Sequence, residues 1–322
     1  MRTLNIIFLA AFAGACSVQS PEPEISAVEA LADEYLAALF EREPTLGTFY
    51  SIEGSSHDRL PDNSLEALSE WQRREDTWLA TLKEIEEPSD IGSRDWVSYG
   101  VLRESLESAV ALRVCRDPLW QASDATGWHR DLPFLFDIQP VDTEPHRQQT
   151  LERLSAVDHF IDTEIANLRT GLDMGYSSPR VTVEAVPGQV RSLIAEDSIF
   201  LSPAIRSGDE VFAAAVGDIY RQEIIPAINR FADFIETVYL GQARDELAVT
   251  ANPYGIDCYP ARVRSFVTIQ PSADEIHTVG LEQIENISAE MRVTIDEHFG
   301  GESIADFMRR LNDDPQFTFE TE

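Results

Sequence analysis

Apolar residues recur at intervals of three and four along most of this chain, and prolines and N-cap residues cut the pattern into segments. Ile25, Val28, Leu31, Ala32, Tyr35, Leu36 and Leu39 share one helical face. Ser26 and Glu29 have the spacing of a capping box at its start, and Pro44 stops it. Asn63 and Glu66 have the same spacing ahead of the stripe Leu65, Leu68, Trp71, Trp78, Leu82 and Ile85, with Pro88 beyond it. A third stripe, Trp96, Tyr99, Leu102, Leu106, Val110 and Leu112, closes before Pro118. Thr143 is placed to cap a long helix reaching about residue 169, with Gly171 and Gly175 marking its C-terminal end. Ser178-Pro179 reads as an N-cap followed by proline at the first helical position. Further helices fit 180–195, 209–241 with a kink near Pro226, 272–298 and 302–312. No segment alternates at period two, so the expected fold class is all-α, an array of roughly eight to ten helices. Residues 118–142 break the period with Trp120, Trp128, Phe134 and Phe136 set among Pro118, Pro133 and Pro140. They are expected as an irregular, aromatic-rich stretch that packs onto the core.

The start of the chain reads as an address. Arg2 precedes the apolar run Leu4 to Ala13, and Gly14-Ala15-Cys16 follows, the pattern of a cleaved export signal over residues 1–15. Ala13-Gly14-Ala15-Cys16 resembles a bacterial lipobox, with Ala13 where leucine is usual, which makes Cys16 the expected lipidation site. An ordinary secreted protein cut nearby is the alternative. Residues 16–24 read as a polar tether and 25–322 as the helical domain. Ser17 carries no inner-membrane retention signal, so the expected location is the periplasmic face of the outer membrane, or otherwise the periplasm or medium. Contact with the membrane is then only through the lipid.

Charge excludes one class of partner. Lys+Arg number 25 against 57 Asp+Glu, a formal net charge of −32, and Lys83 is the one lysine. So negative a field repels phosphate backbones, and no basic stripe offsets it, so nucleic acid is excluded. The same charge density makes neighbouring carboxylates uninformative about acid–base chemistry. Cys115 and Cys258 remain after Cys16. They are either a disulfide, which an oxidising compartment permits, or two separate buried thiols.

Motifs for chemistry are sparse. The sequence has no Gly-x-Ser-x-Gly elbow, phosphate loop, dinucleotide fingerprint or His-Glu-x-x-His helix. His159 has Asp162 at helical spacing and His298 follows Asp296-Glu297; each is half of a metal site at most. Tyr254, Tyr259 and Arg262, in a late Gly/Pro-interrupted stretch, are candidate cleft-lining residues. Core tyrosines beside a solvated arginine are the bland alternative.

Several blocks in order resemble the first half of the bacterial "domain of unknown function 885" family, over about residues 25–317. They are Asp62-Asn63-Ser64-Leu65-Glu66-Ala67, Leu151-Glu152-Arg153-Leu154, Ile165 to Gly171, Gly175 to Val181, Ile225-Pro226-Ala227 with Val238-Tyr239-Leu240, and Pro271 to His277 running on to Glu290-Met291. Members of that family resemble helical zinc metallopeptidases. The resemblance implies a His-Glu-x-x-His helix in a second half, where zinc activates a water and the glutamate takes its proton. The first half is then implied to wall a deep substrate cleft. Two departures stand out: Cys258-Tyr259 replaces a usual tyrosine pair, and Thr268 alone remains of a threonine-rich stretch. His277 belongs to the recurrent Glu-Ile-His block and is read as helix-start packing.

Three functional readings follow. In the first, the chain is the N-terminal part of a zincin-like peptidase, inactive alone. It holds no metal or cofactor of its own, zinc being expected only in the C-terminal half. Its partner is that half or a complementary chain, and the intact domain takes a peptide. In the second, it is a stand-alone helical binding or scaffold lipoprotein. In the third and weakest, it is a hydrolase working through carboxylates alone.

Overall fold

The computed structural model describes residues 25–317. The export signal, Cys16 and the tether lie outside the described residues. Among the described residues fourteen α-helices follow one another, and there is no strand. An isolated parallel bridge joins Pro179 and Arg244. The expected all-α array is therefore the observed fold.

The first layer is α1 (Ala27–Arg42), α3 (Leu65–Glu84) and α4 (Arg94–Leu112), with the single turn α2 (Thr45–Phe49) between the first two. Ser26 caps α1 by accepting from the Glu29 amide, and its hydroxyl then donates to Asp95, so the expected reciprocal box does not close. The second expected box is displaced by one residue. Ser64 is the N-cap of α3, accepting from Ala67, while the Asn63 amide donates to Phe160 and Glu164 on another helix. Asn63 thus joins two layers. The apolar faces enclose a small core of Leu31, Trp71, Trp78, Leu82, Leu102 and Leu106.

The second and larger core is built on α5 (Trp128–Ile138), α6 (Glu144–Asp173), α7 (Arg180–Val183), α8 (Val186–Ser192), α9 (Ser202–Ser207), α10 (Glu210–Ile219) and α11 (Ile225–Phe234). Thr143 caps α6 as expected. The helix at 128–138 corrects the expectation of an irregular stretch. Pro133 inside it removes one backbone donor, but Trp128, Leu132, Leu135 and Phe136 bury together and outweigh that loss. Ser178 does not cap a helix either: Pro179 is the N-cap of α7, and the Ser178 hydroxyl donates to the Trp120 carbonyl. The long segment from 210 to 239 runs continuously through two π-helical turns, Tyr220–Ile224 and Ile235–Tyr239. The first precedes Pro226, whose missing N–H a widened turn accommodates without a break.

The layers are stitched by buried polar groups. Arg153, fully buried, donates to the Arg59 carbonyl, the Thr48 hydroxyl and the Gln139 amide oxygen, at 2.9, 2.8 and 2.6 Å. Burial lowers its pKa to about 10. Next to it, His57 shares a 2.8 Å hydrogen bond with Thr48. Burial first, then the Arg153 cation and His146, hold His57 below the usual imidazole range, against an opposing pull from Asp58.

Last come α12 (Gly255–Val267), α13 (Ala273–His298) and α14 (Ile304–Asp313). A disulfide joins Cys115, after α4, to Cys258 on α12, with the Cα atoms 4.7 Å apart. Arg264 on α12 adds ion pairs to Glu104 and Glu107 of α4, at 2.9 and 2.8 Å. The Ser272–Glu275 capping box starts α13. That helix packs mainly on α14, and Val279, Leu281, Ile284, Ile287 and Val293 stay exposed.

Two outcomes are expected. Replacing Cys115 and Cys258 by alanine removes a 143-residue closure, and denaturant unfolding should show a loss of about 2–5 kcal/mol. A His57 pKa below the unfolded value, about 6.5, gives stability that is complete above that pH and lost as pH falls below it. His57→Asn should therefore flatten the acid side of a stability–pH curve below about pH 6.5.

Candidate functional site

Residues 113–127 connect α4 to α5 and lie across α6. The contact is closest at Gly171, where a Cβ would stand 1.7 Å from the Leu119 carbonyl oxygen. Gly171 is thus inside α6 and serves a backbone approach, not the helix end expected from sequence. The Trp120 carbonyl accepts from the Ser178 hydroxyl at 2.5 Å and from the Tyr239 hydroxyl at 3.0 Å. Tyr239 in turn accepts from the Ser178 amide, at 2.8 Å. The Trp120 indole donates to the Cys115 carbonyl, at 2.8 Å. Asp124 donates its amide to Thr182 and accepts from the Gln189 side chain. A connector whose regular structure is two 3₁₀ turns, Arg113–Cys115 and Asp117–Leu119, is held at both ends and in the middle.

Cavities open on both sides of it. One, about 340 Å³, lies between the connector and α12 and is lined by Trp120, Ser178, Arg244, the Cys258 half of the disulfide, Tyr259 and Arg262. The Arg244 guanidinium sits 5.4 Å over the Trp120 ring and donates to the Glu246 carbonyl, at 3.0 Å. Burial lowers its pKa, with Tyr239 and Glu246 opposing. Arg262 pairs with Asp117. Of the expected cleft-lining residues, Tyr259 and Arg262 line this cavity. Tyr254 does not: it is exposed as the left-handed N-cap of α12, with φ 56°.

The other cavity, about 400 Å³, lies between α2, α5 and α6. Phe49, Trp128, Leu132 and Phe160 give it apolar walls, and Asp131 and Glu164 are its carboxylates. Glu164 accepts from Asn63; burial raises its pKa and that hydrogen bond opposes the rise. Gln121 and Thr126 line both cavities, so the connector is their common wall. A third, about 350 Å³, continues past Gln121 and Glu164 to Asp117 and Arg42. The cavity beside α12 thus carries arginines, and the one between α2, α5 and α6 carries carboxylates.

Sequence reasoning missed Glu164, Trp128 and Arg244. The available signals were the Phe160–Glu164 helical spacing and the aromatic-rich stretch around Trp128.

No group of three or more His, Cys, Asp or Glu side chains among the described residues is arranged to hold a metal. Asp162 is engaged by Arg230, at 3.0 Å, and not by His159. His298 stands 3.9 Å from Glu297, with both exposed.

A family model described as a bacterial protein of unknown function, DUF885, matches residues 44–322. The chain belongs to this family. A crystal structure from Colwellia psychrerythraea, of a protein described as a "putative lipoprotein", superposes with a TM-score of 0.76 at 20% identity. The match covers 92% of this chain and 56% of that one, so the present chain spans little more than half the length of its structural neighbour. No curated protein matches. Among the described residues, no helix is long and apolar enough to cross a membrane.

Gly171→Ala would drive a methyl into the Leu119 carbonyl. We expect it to cost about 1–3 kcal/mol despite the better helix propensity of alanine. The measurement is urea unfolding, with a tryptophan emission shift reporting displacement of Trp120.

Proposed function

We propose that residues 25–322 form one wall of a peptide-binding cleft in a helical, zincin-like peptidase. In this reading the catalytic zinc sits on a second part of the same fold, and Cys16 carries the lipid that holds the protein at the periplasmic face of the outer membrane. The observation that carries the proposal is α13. It is 26 residues long, and it leaves Val279, Leu281, Ile284 and Ile287 more than half exposed while the two cores close without it. Leu281, Ile284 and Ile287, spaced three apart, share one side of the helix, and an exposed apolar ridge of this kind marks an interaction site. The greater length of the structural neighbour supports a second part that covers it. Its description as a lipoprotein supports the anchor, as does the lipobox-like Ala13-Gly14-Ala15-Cys16.

The chemistry divides accordingly. A zinc on the second part supplies an activated water. The present residues bind and orient the peptide: Arg244 meets carbonyl or carboxylate oxygens, and the opposite lobe meets a side chain.

The test is to read the coding DNA past codon 322 in all frames and co-express what it encodes with this chain. A His-Glu-x-x-His helix is expected, in a polypeptide that co-purifies with this chain and protects the α13 amides from hydrogen exchange. The pair is expected to hydrolyse peptides with zinc. Unrelated downstream sequence, with α13 already protected in the chain alone, would sink the proposal. Two closed cores and a disulfide favour one other reading, a stand-alone binding or scaffold lipoprotein. That reading requires sharp, metal-independent unfolding and no peptidase activity from any pairing. Radiolabelled palmitate should enter the wild type and not Cys16→Ser.

A further inference from the structure

We propose that the cavity between α2, α5 and α6 receives the cationic side chain, lysine or arginine, of a peptide lying in the cleft. This rests on the peptide-cleft reading above and names the side chain that one lobe selects.

The cavity, about 400 Å³, is of the size that encloses small ligand groups. Its walls are Phe49, Trp128 and Phe160, rings that accept an aliphatic stem and a cation against their faces. The polar groups are of one sign. Glu164 reaches into it from α6 and Asp131 from α5, while no arginine, lysine or histidine lines it. In a chain with 25 basic residues, most of which are tied to carboxylates or carbonyls, this carboxylate has only a neutral amide, Asn63, as its hydrogen-bond donor. Burial of Glu164 raises its pKa and no neighbouring cation offsets the rise. A guanidinium or ammonium entering the cavity would supply that charge.

A second observation is independent of the carboxylates. Trp128 lines the cavity, is 92% buried at 8% exposure, and its indole N–H has no acceptor. That nitrogen is enclosed with almost no accessible surface, so the ring meets the cavity through its carbon atoms and offers a wall to the aliphatic stem. Cation and aliphatic stem together describe a basic side chain. An apolar residue would leave Glu164 with only the neutral Asn63 amide as partner.

The probes are N-acetyl-arginine methylamide, its uncharged isostere N-acetyl-citrulline methylamide, and N-acetyl-norleucine methylamide. Each is titrated into the full processed chain by tryptophan fluorescence and NMR. Saturable binding is expected, with arginine at least about tenfold tighter than citrulline and the gap narrowing with salt. Glu164→Gln should bring arginine to the citrulline level. Asp131→Asn, at an exposed position, should narrow the gap severalfold and serves as the second variant if Glu164→Gln does not fold. Trp128→Phe should weaken both probes alike and keep the charge preference. Equal binding of arginine and citrulline, tighter binding of norleucine, or no saturation by any probe on folded protein would overturn the proposal. Failure here leaves the second-part reading standing. Failure of that reading, with arginine still selected through Glu164, leaves a cation-binding site on a stand-alone protein.

Discussion

The passage of the Leu119 carbonyl over Gly171 fixes the rest of the site. With no side chain at that point, the connector descends onto the α6 backbone, and Trp120 arrives where Ser178 and Tyr239 can both bond its carbonyl. Tyr239 is the last residue of a π-helical turn, so a local widening of the helix after α11 sets the height of its hydroxyl. The Trp120 ring then carries Arg244, and the far side of the same connector becomes the wall of the Glu164 cavity. One tight backbone contact thus determines two lobes of opposite charge.

Arginine does the internal joining in this acidic chain. Arg153 holds three partners with no carboxylate among its hydrogen bonds. Arg206 ties the Phe136 and Gln139 carbonyls at the end of α5, Arg113 holds Glu75 and Asp76, and Arg264 grips Glu104 and Glu107. A planar fork with several donors can bridge two acceptors at once, which a single ammonium does less well. That explains a basic complement with one lysine better than any nucleic-acid or lipid role. It also makes Glu164 conspicuous as a half-buried carboxylate that these arginines leave alone.

Helix content was legible because apolar spacing and hydroxyl caps are local: Ser26, Ser64, Ser93, Thr143, Ser272 and Ser303 all cap helices that periodicity marks. Errors arose where a cap-like residue was claimed by a distant partner. Asn63 went to Glu164, and Ser178 to Trp120, across 101 and 58 residues of chain. The helix at 128–138 was hidden because Gly127 and Pro133 are poor helix signals, and only the burial of its aromatic face settles the matter. Tyr259 and Arg262 were legible as cleft residues. Arg244 and Glu164 were not, since what each faces depends on which backbone lies opposite, and Tyr254, expected beside them, stands exposed outside the cavity.

The exposed stripe on α13 sits outside both cores, which separates folding from association. The disulfide and the Arg264 ion pairs hold α12 to α4, so the base from which α13 departs is rigid without any partner. Carboxylates Glu282, Glu285 and Glu290 are interleaved with the stripe, and few cations accompany them. A second copy of this helix would therefore meet like charge along its length, and the apolar gain of pairing would be set against that repulsion. A covering surface with apolar knobs flanked by basic side chains meets no such opposition. The charge along α13 thus argues for a partner unlike itself.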